Sequence, residues 1–121
     1  RFALTEESSA SPVFKDYCLS LGEGDTKLLL KKLAPTRLVK NAFREAVEKA
    51  EDSGASAEEL RSLLGKGRAK KGMFEGDLEE GELEIGQVSA IISRRQSVAE
   101  VMNELVESYW QAVEKKYLFE R

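Results

Sequence analysis

The clearest pattern in the chain is a stripe of apolar residues, spaced three and four apart, near its C-terminus. From Ser97 to Tyr117 the stripe consists of Val98, Val101, Met102, Leu105, Tyr109, Val113 and Tyr117, and it is widened by Val106 and Trp110. This spacing places one apolar face on an α-helix. Ser97 followed by Glu100 is a capping box that fixes its start. We expect Val101, Leu105 and Tyr109 to be buried.

Three shorter segments also carry helical spacing. The first covers residues 12–21, where Pro12 suits the first helical turn. The second covers residues 41–52 and can close at Gly54. The third begins at Ser56, which Glu59 completes as a capping box, and ends at Gly65.

The segments between these helices are less clearly patterned. Residues 26–33 and 36–40 flank Ala34-Pro35. Propensity favours a helix for the Leu/Lys run, and a strand pair turning at Ala34-Pro35 competes with it. Residues 65–86 hold six of the nine glycines and many charges, which predicts loops. An apolar segment restarts at residues 87–92 and suits a short helix.

The summed pattern is awkward for an independent domain, because amphipathic helices alternate with long loops. Each apolar face needs a partner, which a larger body would supply. The chain opens Arg1-Phe2-Ala3-Leu4 without Met. This start suits a piece cut from something larger and, equally, simple removal of a starting Met or tag.

Composition restricts the function classes. The 121 residues are enough for one small domain, and 34% charged with 41% hydrophobic residues is typical of an ordered, soluble chain. The net charge of -3 favours neither nucleic acid nor membrane as a partner, and no apolar run is long enough to span a bilayer. The single cysteine, Cys18, excludes an internal disulfide and fits a reducing, cytoplasmic compartment.

No histidine occurs in the chain. Its absence excludes Ser-His-Asp and Cys-His catalysis within these residues, and zinc sites that need histidine. One cysteine likewise excludes zinc sites built on thiolates. We therefore assign no catalytic and no metal-ligating residue, and expect any chemistry to use a borrowed cofactor or carboxylates, Lys and Tyr.

Three local motifs suggest a ligand. The basic run of residues 65–72 lacks the Ser or Thr and the leading Gly of a P-loop, so a flexible basic loop is favoured over a contact with an acidic partner. The acidic run of residues 76–81 lacks EF-hand spacing, and a solvated turn is favoured. Gly86-Gln87 combines close backbone approach with a side-chain amide, although residue type alone favours a packed helix start.

Taken in order, several short motifs resemble the nitronate monooxygenase (2-nitropropane dioxygenase) family, which includes the FMN-dependent enoyl-ACP reductase II enzymes. The motifs are Arg1-Phe2, Glu6-Glu7-Ser8, Phe14-Lys15, Asp25-Thr26, the run from Arg37 to Phe43, the run from Gly76 to Gly81, and Gly86-Gln87. The resemblance covers nearly the whole chain and is to the family's C-terminal portion only. One departure is Ile85-Gly86-Gln87 followed by Ser89-Ala90, where members often have Ala-Gly-Gln and then Ala-Gly.

The resemblance implies a fold and a cofactor. Members are TIM barrels that hold FMN at the C-terminal ends of the strands. In the family, a Gly-Thr pair that helps hold the FMN phosphate directly precedes the Arg-Phe corresponding to Arg1-Phe2, and the barrel histidine lies earlier still. Gly86 and Gln87 are then implied to line the flavin or substrate pocket. FMN is expected in the parent protein, with NAD(P)H or oxygen as co-substrate, and tight FMN binding is not expected for the isolated chain.

The expected fold class is α+β and mostly helical, a C-terminal fragment of a TIM (β/α)8 barrel enzyme. We divide it into residues 1–24, the end of the barrel and first helix; 25–64, an excursion containing the strand pair, which the resemblance favours; 65–96, a Gly-rich return to the flavin-site mouth; and 97–121, the terminal helix. Expected partners are the remainder of its own barrel and a small-molecule or acyl-carrier-linked substrate. A homodimer is also compatible. The alternative is a small helical protein-interaction module using Tyr109 and Trp110.

Overall fold

A computed structural model describes residues 1–119 as a mostly helical chain with one small sheet. Its helices and strands are α1 (Pro12–Leu19), β1 (Thr26–Leu29), β2 (Thr36–Val39), α2 (Ala42–Asp52), α3 (Ala57–Leu64) and α4 (Val98–Phe119). Two 3-10 turns cover Phe2–Leu4 and Gln87–Ile91, and a π-helical turn covers Lys70–Phe74. The α+β, mostly helical prediction is therefore confirmed.

The capping residues named from the sequence do begin the helices. At α3 the Ser56 hydroxyl accepts from the Glu59 amide at 3.2 Å, and the Glu59 carboxylate accepts from the Ser56 amide at 2.7 Å. Ser97 and Glu100 repeat both bonds at the start of α4, at 3.2 and 2.7 Å. Each box satisfies backbone donors that the first helical turn leaves unpaired. Gly65 closes α3 with a φ of 66°.

The strand pair, and not the helix, forms between residues 26 and 39. β1 and β2 are antiparallel, and Thr26 lies opposite Val39 while Leu29 lies opposite Thr36. The hydrogen-bonded turn closes from the Leu33 amide to the Leu30 carbonyl, so it begins earlier than the predicted turn at Ala34-Pro35. β1 accordingly ends at Leu29.

Strand β2 supplies one residue to each of two apolar cores. Val39 belongs to the first core, with Leu4, Phe14, Cys18, Leu21 and Leu83. Leu38 belongs to the second, with Leu29, Leu30, Phe43 and Val47. Successive side chains of a strand point to opposite faces, so four residues of strand connect both cores. The second core lies within residues 25–64, and the first core joins Val39 to the chain start and to Leu83.

The glycine-rich segment is more ordered than its composition predicts. Residues 70–74 form the π-helical turn, and its Gly72 packs directly on Gly81. A Cβ on Gly72 would lie 2.7 Å from Leu83 Cδ2 and 2.9 Å from the Glu82 carbonyl oxygen, and one on Gly81 would lie 2.7 Å from the Gly72 nitrogen. Only glycine fits at both positions. The prediction of loops was therefore wrong for residues 70–74.

The apolar stripe of α4 is mostly uncovered. Val101 is 2% exposed, whereas Leu105 is 42% and Tyr109 61% exposed. The expected burial is thus confirmed for Val101 and wrong for Leu105 and Tyr109 within the described residues, because α4 contacts the rest of the chain near its start, through residues such as Val101 and Glu104. The Tyr117 side chain lies outside the described residues. No helix in residues 1–119, α4 included, is both long and apolar enough to cross a bilayer.

We expect this difference in burial to separate two alanine variants of the 121-residue chain. Val101→Ala should lower the free energy of unfolding by roughly 1–3 kcal/mol because it empties a packed position. Leu105→Ala should lower it by less than about 1 kcal/mol because the side chain is already half in water. Urea unfolding of both variants and of the unsubstituted 121-residue chain measures these losses. Equal losses would contradict the exposed position of Leu105.

Candidate functional site

The 3-10 turn at Gln87–Ile91 carries the two residues that the resemblance assigns to a pocket. Gly86 precedes the turn with φ -75° and ψ 161°, a conformation open to any residue. Both Gly86 and Gln87 are exposed, and a Cβ built on Gly86 meets no atom within 4 Å. Neither backbone strain nor packing within the described residues therefore requires glycine here. Residue type alone favoured a helix start packed in a core. A short 3-10 helix does start here, but Gly86 and Gln87 are exposed and not packed in a core.

The outer face of this turn is apolar around a free amide. Val88 is 54% and Ile91 82% exposed. Among the side chains that the structure describes, none hydrogen-bonds with the Gln87 amide. By contrast, Ser89 faces inward, is 3% exposed, and its hydroxyl has no hydrogen-bond partner. The turn thus presents uncovered apolar surface with one group that can both donate and accept.

Backbone contacts fix the segment that leads to the turn. The Val39 amide donates to the Leu83 carbonyl at 2.9 Å, and Leu38 and Glu84 form an antiparallel bridge. The Leu83 side chain is 1% exposed in the first core. The chain therefore arrives at Gly86 along the edge of β2, after the turn that Gly72 and Gly81 close.

Asn41 connects this segment to α2. Its Oδ1 accepts from the Arg44 amide at 2.8 Å and so caps α2. Its Nδ2 donates to the carbonyls of Leu78 at 3.0 Å and Gly81 at 2.7 Å. One side chain consequently satisfies a backbone amide at the start of α2 and two carbonyl oxygens of the acidic turn at residues 76–81.

Two of the three positions that depart from the family's common pattern, Ile85 and Ser89, are directed into the chain. Ile85 is partly buried against the first core, and Ser89 is buried. Their side chains therefore contribute to packing beneath the turn. Residues 86–88, which lie between these two positions, are exposed and belong to the outer face of the turn.

The remaining motif residues hold the framework together. Lys15 is 3% exposed and its amine donates to the carbonyls of Glu6 at 3.2 Å and Ser8 at 2.7 Å. Glu7 accepts from the Val98 amide at 3.0 and 3.1 Å and adds a carboxylate cap to α4. In this structure Lys15 and Glu7 therefore each satisfy backbone groups.

Burial and pairing change the ionisation of a few groups. Burial raises the pKa of the Cys18 thiol to about 12, so this cysteine is an inert core residue. Burial, with Glu84 nearby, also raises the pKa of Glu82. Hydrogen bonds from Arg1 and Gln96 lower the pKa of Glu104, which therefore stays charged at neutral pH. Burial raises the pKa of Tyr17.

The basic run lines an open cleft of about 320 Å³ formed by Leu64, Gly65, Lys66, Gly67, Arg68 and Lys71. Arg68 is engaged elsewhere, because it donates to the Leu64 carbonyl at 2.8 Å and stacks 4.4 Å over the Phe43 ring. Lys71 pairs with Asp77 at 3.1 Å. Arg68 and Lys71 are thus engaged within the chain.

The acidic run is an internally bonded turn. Asp77 Oδ1 accepts from the amides of Glu79 at 3.1 Å and Glu80 at 2.9 Å, and Gly76 has a φ of 82°. Those bonds, with the Lys71 ion pair, lower the pKa of Asp77. Within the described residues no group of three His, Cys, Asp or Glu side chains is placed to hold a metal ion.

A second cleft, of about 230 Å³, lies beside the turn. It is lined by Arg1, Ile91, Ile92, Ser93, Arg94, Gln96 and Glu104. Gly86 and Gln87 do not line it, so the described residues bring them to an open surface and not into a cavity. Sequence reasoning missed this cluster, since Arg1 and Gln96 are 95 positions apart and no local pattern connects them.

Comparison with known proteins identifies the class. Residues 1–108 match the sequence profile of the nitronate monooxygenase family, so the chain belongs to that family. The chain is also similar to the structure of FabK from Thermotoga maritima, with 25% identity and a TM-score of 0.86 over 98% of this chain and 38% of that one. The M276A mutant of the same FabK gives 23% identity and a TM-score of 0.80, covering 98% and 35%. No curated protein matches. The chain thus spans little more than a third of these neighbours' length.

The contact between Gly72 and Gly81 predicts opposite results for two glycine substitutions. Gly81→Ala should cost at least about 2–3 kcal/mol in the free energy of unfolding, because the added methyl overlaps the Gly72 backbone. Gly86→Ala should be neutral or stabilising by up to about 1 kcal/mol, because its φ suits alanine and its surroundings are open. Urea unfolding measures both. A large loss for Gly86→Ala would show that the turn is packed internally.

Proposed function

We propose that this chain is part of an FMN-dependent oxidoreductase, to which it contributes outer helices and a pocket-lining turn. The observation that carries the proposal is the family match across residues 1–108. The similarity to FabK over 98% of the chain supports it. The flavin supplies the redox chemistry when bound, and the residues of this chain bind and orient.

The turn at Gln87–Ile91 fits this role. Gly86 leaves its outer side open, and nothing in the described residues explains a glycine there. The Gln87 amide has donor and acceptor capacity to orient a polar edge of a cofactor or substrate. Val88 and Ile91 offer apolar surface for a planar ring system. These properties suit a ligand or a neighbouring wall that covers the turn in the complete protein.

The remainder of a TIM barrel is the proposed partner of the uncovered surfaces. The chain corresponds to 38% of the length of FabK, which leaves a large body unrepresented. On α4, the aliphatic residues Met102, Leu105 and Val106 are 42–52% exposed, which is unfavourable in water over a continuous face. Packing on a barrel would bury them.

Two substrate classes fit the proposal. One is an activated alkene, free or carried on an acyl carrier, reduced with hydride from NAD(P)H. The other is a nitronate oxidised with oxygen. The competing function, a protein-interaction module, is favoured only by Tyr109 and Trp110, which are 61% and 58% exposed and lie beyond the family match.

The first test is flavin binding. The complete protein should bind FMN at micromolar concentration or tighter, about -8 kcal/mol, and the 121-residue chain should leave the flavin fluorescence and spectrum unchanged. Fluorescence titration of both samples with FMN measures this. Absence of binding by the complete protein would overturn the proposed function. Tight binding by the chain alone would refute its role as one part of the site.

The second test changes the side chains at positions 86 and 87 of the complete protein. Gly86→Val should lower turnover, because it adds bulk on the open side without an internal clash, while the melting temperature stays within a few degrees. Gln87→Ala should change kcat or KM and leave stability unchanged. Steady-state kinetics and thermal melts of both variants measure this, with Glu45→Ala on α2 as an exposed control. Unchanged kinetics for both would remove the turn from the site.

A further inference from the structure

A buried amide, Gln96, joins three separate parts of the chain just beyond the turn at Gln87–Ile91. Gln96 is 7% exposed. Its Oε1 accepts from Arg1 Nη2 at 3.1 Å, and its Nε2 donates to the Glu104 carboxylate on α4. Its peptide oxygen accepts from the Glu6 amide at 3.0 Å. Both ends of the side-chain amide are used within the protein.

The segment between the turn and α4 has few other anchors. Ser93 and Arg94 are exposed, and Ile91 extends into solvent. Arg95 pairs with Asp16 at 2.6 Å and donates to the Pro12 carbonyl at 2.9 Å, although its side chain stays 32% exposed. Gln96, at 7% exposed, is the more deeply buried of these two polar anchors.

The charges around Gln96 strengthen its bonds. Glu104 pairs with Arg1 and, at 3.5 Å, with Arg94. Because these cations keep the carboxylate ionised, the bond that it accepts from Gln96 is charge-assisted. The Arg1 guanidinium in turn makes a charge-assisted bond to Oε1. The amide accepts from the cation with its oxygen and donates to the anion with its nitrogen, so Gln96 bonds to both members of the Arg1–Glu104 pair.

We propose that Gln96 is a positioning residue for the cofactor site. By fixing the segment to Arg1 and Glu104, it holds the turn that carries Gly86 and Gln87 in the orientation that the cofactor meets. Gln96 acts through that turn and does not contact the cofactor itself. The inference rests on the proposed function, and it adds a residue that neither the family match nor the sequence motifs single out.

The test replaces Gln96 by Met in the complete protein. Met is similar in size and lacks both hydrogen-bonding groups, so it releases Arg1 and Glu104 without opening a large cavity. The dissociation constant for FMN, measured by fluorescence titration, should rise about tenfold or more, because small misplacements of binding groups are costly. The melting temperature of the flavin-free variant records the structural loss separately.

Glu7→Ala is the matched control. It removes another link between the chain start and α4, the cap on the Val98 amide, and leaves the Gln96 bonds in place. Its flavin-free protein should lose stability as Gln96→Met does, while its dissociation constant for FMN stays within about threefold of the wild type. If Gln96→Met does not fold, Arg1→Met breaks the same bond from its more exposed end, and the same tenfold rise is expected.

The outcomes separate the two proposals. A wild-type protein that binds no FMN overturns the proposed function. A wild-type protein that binds FMN, with Gln96→Met or its substitute Arg1→Met binding equally well, overturns the positioning role alone. Equal weakening by Gln96→Met and Glu7→Ala also overturns it, because general loosening then explains the effect. Non-additive effects of Arg1→Met and Gln96→Met on the dissociation constant would support action through one bond.

Discussion

The contact between Gly72 and Gly81 is the constraint on which the placement of the candidate site depends. Two backbone segments meet there with no room for a Cβ on either side. The meeting turns the chain back so that Leu83 enters the first core and Glu84 pairs with Leu38. Gly86 and Gln87 follow within a few residues. Their position thus depends on a close backbone approach that only glycine permits.

The sequence predicted most of the helical framework, because helix signals are local. Ser56 with Glu59 and Ser97 with Glu100 form the capping boxes that their spacing indicates. The π-helical turn escaped prediction because Gly72 depends on Gly81, nine residues away, and composition only signals flexibility there. From residue pattern alone, helix and strand pair remained alternatives for residues 26–40. The Leu/Lys run of β1 has helical propensity, and only its pairing with β2 overrides that propensity.

The candidate site was predictable only through family resemblance. Gly86 and Gln87 carry no periodic or capping signal, and residue type alone favoured a packed helix start. At Gly86 neither φ nor packing within the described residues requires glycine, and its assignment to a pocket stays a prediction. The Arg1, Gln96 and Glu104 cluster had no signal at all, because its members meet only after folding. Residues that meet only through long-range hydrogen bonds are generally invisible to reasoning from one sequence.

Strand β2 has a consequence for how the chain opens. Since Leu38 and Val39 are divided between the two cores, neither core can come apart without disturbing the other through the same short strand. We therefore expect residues 25–64 to unfold together with the chain start, although the two are far apart in sequence. We therefore expect the Val39 amide proton, bonded to the Leu83 carbonyl, to exchange with solvent later than the amide protons of the exposed turn at Gln87–Ile91.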